Sequence, residues 1–294
     1  MSTPWQEIGN RLRAYRLGRD ITAGDLAEEL GVSRAALYRL EKGELVKVET
    51  LERLASVLEI SLPSLLGIGV EYYSNAVAFF ERMRQLERNV VRIIGNFTPV
   101  SFLLFSDDYV QHLRTMLLES AAGRSPADAD DFEAYADRVL SILRERRKSA
   151  MSQHIPIFSI VTLNALERFL WSGLVGRYDV GEKTLAYRRL LARREVEHLL
   201  EIVRKPPKTI HIGIINGFAA EQTFQVFEKK NKPFVTLSPY RLGDYPNISA
   251  GIAMVTAAPD AVKMFKEMID RQWERAAKGK EAIKALESLL VRIR

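Results

Sequence analysis

The chain has 294 residues, 47% of them apolar, and carries 43 Lys and Arg against 37 Asp and Glu, a net charge of +6. That length buries a large core and fits two folded units. With no cysteine in the chain, a disulfide framework, a thiolate metal site and a cysteine redox sensor are excluded, and no apolar run approaches the roughly 18–20 residues of a membrane span.

The charge is unevenly spread. Residues 1–70 hold nine basic and ten acidic side chains, which leaves the rest of the chain strongly basic. A protein that coats DNA regardless of sequence is basic wherever it meets the duplex. A near-neutral segment with cations on one face suits a defined site better.

Residues 5–17 read as a first helix. Residues 22–30 read as a second, with Leu26, Ala27 and Leu30 directed inward. Gly31 can take a left-handed backbone without steric cost, Val32 plugs the turn, and Ser33 is placed to cap a third helix over 33–42. In that helix Ala36, Leu37 and Leu40 pack back on the second, so Ser33, Arg34, Ala35, Tyr38, Arg39 and Lys42 face outward. Two short helices joined by a glycine turn, with cations on the free face of the second, form a helix-turn-helix. Helices over 48–58 and 62–66 follow.

Residues 5–67 resemble the five-helix domain of the lambda-repressor-like regulators, the XRE family. The recurrent core of that family is matched by Ile8, Leu12, Leu26, Ala27, Leu30, Val32, Leu37, Leu40, Leu51, Leu54, Ala55, Leu58, Ile60 and Leu65. Its polar pair is matched by Arg16 and Glu41, and its turn glycine by Gly43. One position departs: Ala23 stands where the family usually has a glutamine that grips phosphate. The resemblance implies an all-α DNA-binding head in which Arg34 and Arg39 read bases. Arginine paired to guanine O6 and N7 is worth about 1–3 kcal/mol of discrimination. Ala35 and Tyr38 suit a thymine methyl or a sugar, Ser33 lies beside them, and Thr22, Lys42 and Lys47 suit phosphates, which position without specifying sequence. The competing reading is a helical packing module that never meets DNA.

After Pro63, Gly67 and Gly69 the pattern changes. Apolar residues at 72, 76, 79, 83, 86, 90 and 93 alternate in steps of four and three. This predicts a helix over 70–95, acting either as a dimerising coiled coil between two copies or as a helix packed on its own chain's core.

Residues 96–294 read as an α+β body, a mixed sheet with helices. Strands are expected at 97–105, 155–163, 209–215, 223–227, 234–237 and 251–256, and helices at 107–121, 130–151, 165–174, 182–204, 260–278 and 281–292. Residues 123–130 read as an exposed loop. The order Ser106-Asp107-Asp108-Tyr109-Val110, the Arg-rich run 143–148, Ala165-Leu166-Glu167-Arg168 and His198-Leu199-Leu200 before Pro206 resembles the C-terminal domain of many actinobacterial helix-turn-helix regulators. That domain, of the antitoxin-like and developmental type, has no catalytic residues to carry over.

The body offers little chemistry. Glu195 and His198 form one Glu-x-x-His, a di-metal signature only when it occurs twice. Gly213 and Gly217 lack the spacing of a phosphate cradle, and Ser172 and Ser238 lack a nucleophile-elbow context. Basic runs at Arg144/Arg146/Arg147/Lys148, Arg188/Arg189/Arg193/Arg194, Arg204/Lys205/Lys208 and Lys229/Lys230/Lys232 read as solvated helix faces. They could otherwise form an anion pocket, a flank for DNA or a surface for an acidic partner. Phe158, Phe169, Trp171, Phe218, Phe224, Phe227, Tyr240 and Tyr245 read as core or as pocket lining.

The sequence therefore predicts domains at 1–69 (head), 70–95 (linker and dimerisation helix) and 96–294 (body). It predicts a bacterial, cytoplasmic transcriptional regulator without enzymatic activity, cofactor, metal or membrane contact. Two copies would bind palindromic double-stranded DNA, and the body would sense a small molecule or, in an antitoxin-like alternative, bind a partner protein.

Overall fold

Five helices build the head: α1 (Pro4–Gly18), α2 (Ala23–Glu29), α3 (Arg34–Glu41), α4 (Val48–Val57) and α5 (Leu62–Leu66). A computed structural model describes residues 4–44, 47–121, 126–217, 222–230 and 232–293. Side-chain caps start the short helices: Thr22 accepts from the Asp25 amide, Ser33 from Ala36, and Ser61 from Ser64. Leu26, Leu37, Leu54 and Leu65 meet at the centre, none of them exposed.

The chain then runs β1 (Val70–Tyr73), α6 (Ala76–Leu86), β2 (Arg92–Asn96), α7 (Tyr109–Ser120), α8 (Pro126–Ser152), β3 (Ile157–Thr162), α9 (Leu163–Ser172), α10 (Glu182–Arg204) and β4 (Ile210–Ile215). The remainder is β5 (Thr223–Glu228), β6 (Phe234–Ser238), β7 (Ala253–Thr256), α11 (Pro259–Arg275) and α12 (Lys280–Arg292). One seven-stranded sheet has the order β1-β7-β6-β5-β2-β3-β4. Strands β2, β3 and β4 run parallel, whereas β1, β7, β6 and β5 pair antiparallel and join the parallel half at β2. The period-2 alternation of strands divides the core. Ile93, Ile157, Val161, Ile212 and Phe227 face the large core, and Ile94, Ile160, Phe224, Val226 and Val235 face a smaller one with Val262 and Ile269 of α11. Gly213 leaves room for α11, because a Cβ there would lie 2.8 Å from that of Ala276.

Three expectations need correction. The helix expected over 70–95 is strand, helix and strand: Tyr72 lies in β1, Ile93 in β2, and only Ala76–Leu86 is helical. Its apolar seam of Ala76, Phe79, Met83 and Leu86 is buried within the chain's own core, so no coiled-coil surface is left. The strand expected at 97–105 falls instead at β2, and 102–104 form a 3-10 turn. Phe97, Val100, Phe102, Leu103 and Leu104 are buried, but buried apolar loop and buried strand look alike in sequence, and Pro99 cannot serve a central strand. The loop expected at 123–130 is helical from Pro126. Pro and Asp signal a helix start as well as a turn; residues 123–125 lie outside the described ones.

The head is docked on the body through α1, which lies along α6. A Cβ on Gly18 would sit 2.5 Å from that of Ala78, so glycine sets how closely the helices approach. Tyr15 stacks on Tyr73 with ring centres 4.8 Å apart. Beside them is a buried ionic cluster: Glu71 of β1 accepts from Arg82 at 2.8 Å and Arg11 at 3.3 Å, and from Tyr73 Oη at 2.7 Å. Arg82, wholly buried, also reaches Glu7 of α1 at 3.0 Å, and Arg11 donates to the carbonyls of Leu65 and Leu66. Burial alone would raise the Glu71 carboxyl, but the charges of Arg82 and Arg11 with their hydrogen bonds hold it below the usual carboxylate value.

Candidate nucleic-acid interface

The exposed face of α3 follows from three local solutions. Thr22 and Asp25 form a reciprocal capping box at the start of α2. The turn closes when Gly31, at φ +66°, lets its amide reach Glu28 O and the Val32 amide reach Ala27 O, both at 2.9 Å. Ser33 then caps α3 through the Ala36 amide at 3.1 Å, and fully buried Leu37 anchors that helix against the head.

Two fixtures hold α3 to the scaffold. Arg16 Nε donates to Glu41 at 2.6 Å with both side chains buried, the pair that the sequence places there. A Cβ on Gly9 of α1 would lie 2.5 Å from Leu40 O, so the two backbones nearly touch. Just beyond α3, Gly43 has φ +94°, and a Cβ there would lie 2.6 Å from the Gln6 amide nitrogen. Such a buried pair adds little net stability but fixes geometry against strongly unfavourable alternatives.

All eight residues singled out in the sequence, Thr22, Ser33, Arg34, Ala35, Tyr38, Arg39, Lys42 and Lys47, are exposed. Residues 34, 38 and 42 form one row along α3 and 35 and 39 a second, by the four-residue spacing of a helix. Arg34 folds over Tyr38, 3.1 Å from its hydroxyl and 5.5 Å from its ring centre. Arg39 pairs with Glu44 at 3.3 Å with both side chains more than half exposed. Exposed pairs of this sort are worth under about 1 kcal/mol, so both arginines are free to exchange partners for a base edge. Thr22 is less free: its hydroxyl donates to Asp25 at 2.7 Å, and the same carboxylate would repel a phosphate. Ala23 is buried and offers no polar group there. Lys47 precedes α4 without a side-chain cap bond.

Residues 12–65 match the family model described as Helix-turn-helix, of the XRE class. The head is thus a helix-turn-helix domain of the kind found in DNA-binding transcriptional regulators. The match covers the head and stops short of the sheet. No curated protein matches the chain.

The remaining candidates resolve into structure. The Glu195 carboxylate accepts from the Ser106 amide at 2.9 Å and its hydroxyl at 2.5 Å, so it braces the approach to α7. Among the described residues no group of three His, Asp or Glu converges as a metal site. Ser238 accepts from the Tyr240 amide in a turn, and Gly173 ends α9 at φ +72°. Phe158, Phe169, Phe224, Phe227 and Tyr240 belong to the cores. Trp171 lies exposed under Arg189, and Tyr245 stacks on Tyr178. Phe218 lies outside the described residues. No described helix is long and apolar enough to cross a membrane.

Several basic runs are internal braces where solvated faces were expected. Buried Arg146 pairs with Glu87 at 2.6 Å and Arg188 with Glu119 at 2.6 Å, whereas Arg204, with Glu201 and Glu287 both at 2.6 Å, stays on an exposed face as expected. Arg193 donates to the carbonyls of Leu290 and Ile293 beyond its link to Glu197. Lys229, Lys230 and Lys232 are the run left without carboxylate partners among the described residues. Sequence reasoning missed the Arg11–Glu71–Arg82 cluster, because Arg82 reads as a solvent-facing residue off the apolar seam. The sequence carries no signal for it: Glu81, Arg82, Arg84 and Gln85 share one side of the helix and look like a solvated face, yet Glu81, Arg82 and Gln85 are buried.

Proposed function

We propose that the protein is a sequence-specific transcriptional regulator that binds a palindromic operator as a homodimer, with Arg34 and Arg39 reading bases. The supporting observation is the free face of α3, where both arginines stand exposed and only weakly engaged on a helix fixed by buried contacts. Lys42 and Lys47 contribute phosphate contacts. The body supplies dimerisation and senses a small molecule, and it has no catalytic role in this reading. Because α1 and α6 pack directly, a ligand felt by the body is transmitted by a shift in head placement between two arrangements of the whole molecule. Crosslinking the protein to DNA in its own cells and sequencing the bound fragments tests this. A sharp inverted-repeat motif at a few promoters is the expected result, and diffuse or absent enrichment would reject it.

One observation favours a second reading, an antitoxin-like regulator whose body binds a partner protein. Strand β1 ends the sheet, and Ile68, Tyr72 and Ile252 around it are each more than half exposed. An open edge with apolar neighbours accepts an added strand from another chain. Co-purification of one stoichiometric protein, lost in Tyr72→Lys, would favour that reading.

A further inference from the structure

A cleft of about 1020 Å³ lies where the head meets the sheet. Ile8, Asn10 and Lys42 line its head side, and Val90, Lys229 and Phe234 its body side. Its two carboxylates, Glu7 and Glu71, are both committed to Arg82, at 3.0 and 2.8 Å. Of its cations Arg11 is committed to Glu71, but Lys42, Arg88, Lys229, Lys230 and Lys232 have no carboxylate within ion-pairing distance among the described residues. Lys229 is the most telling of them. It is half-buried with its ammonium 5.5 Å from the Phe234 ring centre, and burial pushes its pKa down. The charge of Glu7 across the cleft offsets this only in part, because that carboxylate is already paired with Arg82, and a partly desolvated cation without an ion pair of its own is completed by an added anion.

We propose that this cleft binds a small organic anion with an apolar body, its charged group held by Lys229 and Lys232 and its apolar part against Ile8, Val90 and Phe234. The volume is at the upper end of small-molecule pockets, which combine apolar walls with a few convergent polar groups. The apolar wall has nothing to offer a phosphodiester backbone, so flanking DNA is the poorer occupant. The inference rests on the sensor reading for its consequence but not for the binding itself. Lys42 lines the cleft and also belongs to the α3 face, so an anion that engages it competes with operator phosphate. Linkage makes that antagonism reciprocal.

The test is a fluorescence titration of the full chain, without DNA, with anilinonaphthalene sulfonate, an apolar ring system bearing one anionic group. The matched probe is N-phenylnaphthylamine, the same ring system lacking the sulfonate. One saturable site per chain is expected for the sulfonate, with the uncharged probe at least about tenfold weaker. Lys229→Ala combined with Lys232→Ala should weaken the sulfonate at least about tenfold. Lys232→Glu, at an exposed position that folding does not depend on, should weaken it several-fold, and Lys183→Ala on α10 should leave it unchanged. Equal affinity for both probes, several weak sites, or indifference to Lys232→Glu would overturn the proposal. Sulfonate binding as expected in a chain that selects no DNA sequence would reject the DNA reading and leave the cleft standing.

Discussion

At the residue scale, two arginines, one lysine and one glutamate carry distinct burdens. Arg34→Ala and Arg39→Ala should each relax base preference at one operator position, by about 1–3 kcal/mol, measured by competition with singly substituted duplexes. Lys42→Ala should weaken binding evenly across sequences and reduce the salt slope by about one. Glu71 is different, because it is the shared anion of two buried guanidiniums. Glu71→Gln should cost about 3–5 kcal/mol, since it strands buried charge. The sign of its pH dependence follows from its depressed pKa. The stabilisation is present above the ordinary carboxylate value of 4.5 and is lost as pH falls through the lower folded value. The stability gap between wild type and Glu71→Gln, measured by denaturant titration, should therefore narrow below about pH 4.5. A gap that widened on acidification would contradict the assignment.

At the element scale, the head shows what a sequence can disclose. Ser33 marks a helix start and Gly31 and Gly43 need positive φ, so the head helices fall within a residue or two of expectation. The caps are testable: Ser33→Ala should destabilise the head by about 1 kcal/mol, read as earlier loss of amide protection in α3. Parts of the body were equally legible. Strands β3 and β4 are β-branched runs between helices of clear period, and both were expected where they lie. Residues 70–105 were not, for a physical reason. Helix α6 is buried all round, so its apolar residues continue into the strands on either side and imitate one long amphipathic repeat. The polar residues that break the imitation, Glu71 and Arg82, satisfy each other inside the protein, and pairing across eleven residues leaves no periodic trace. Of the reading face, the exposure of every residue was foreseen; the engagement of Thr22 by Asp25 was not, since either partner of a capping box also suits solvent.

At the scale of the whole molecule, the head is seated on the body and does not hang from a helical arm. Gly18 against Ala78, Tyr15 on Tyr73 and the Arg11–Glu71–Arg82 cluster join α1 to β1 and α6 over a continuous buried surface. Calorimetry of the full chain should accordingly show one cooperative transition. Two well-separated transitions would mean that head and body fold independently. Gly18→Val, which forces a side chain into the α1–α6 contact, should cost about 1–3 kcal/mol by overpacking and should loosen this coupling before it harms α3. In the proposed mechanism a signal would be transmitted by altering the seat itself, and the basic cleft opens at that seat.

The central claim is that the exposed face of α3, held in place by this docking, reads a DNA sequence. Selection of bound duplexes from a random library by the purified full chain, repeated with Arg34→Ala and Arg39→Ala, tests it most directly. The account predicts an inverted-repeat motif for the wild type, with a different pair of symmetry-related positions losing its base preference in each variant. No enriched motif, or the wild-type motif unchanged in both variants, would contradict it.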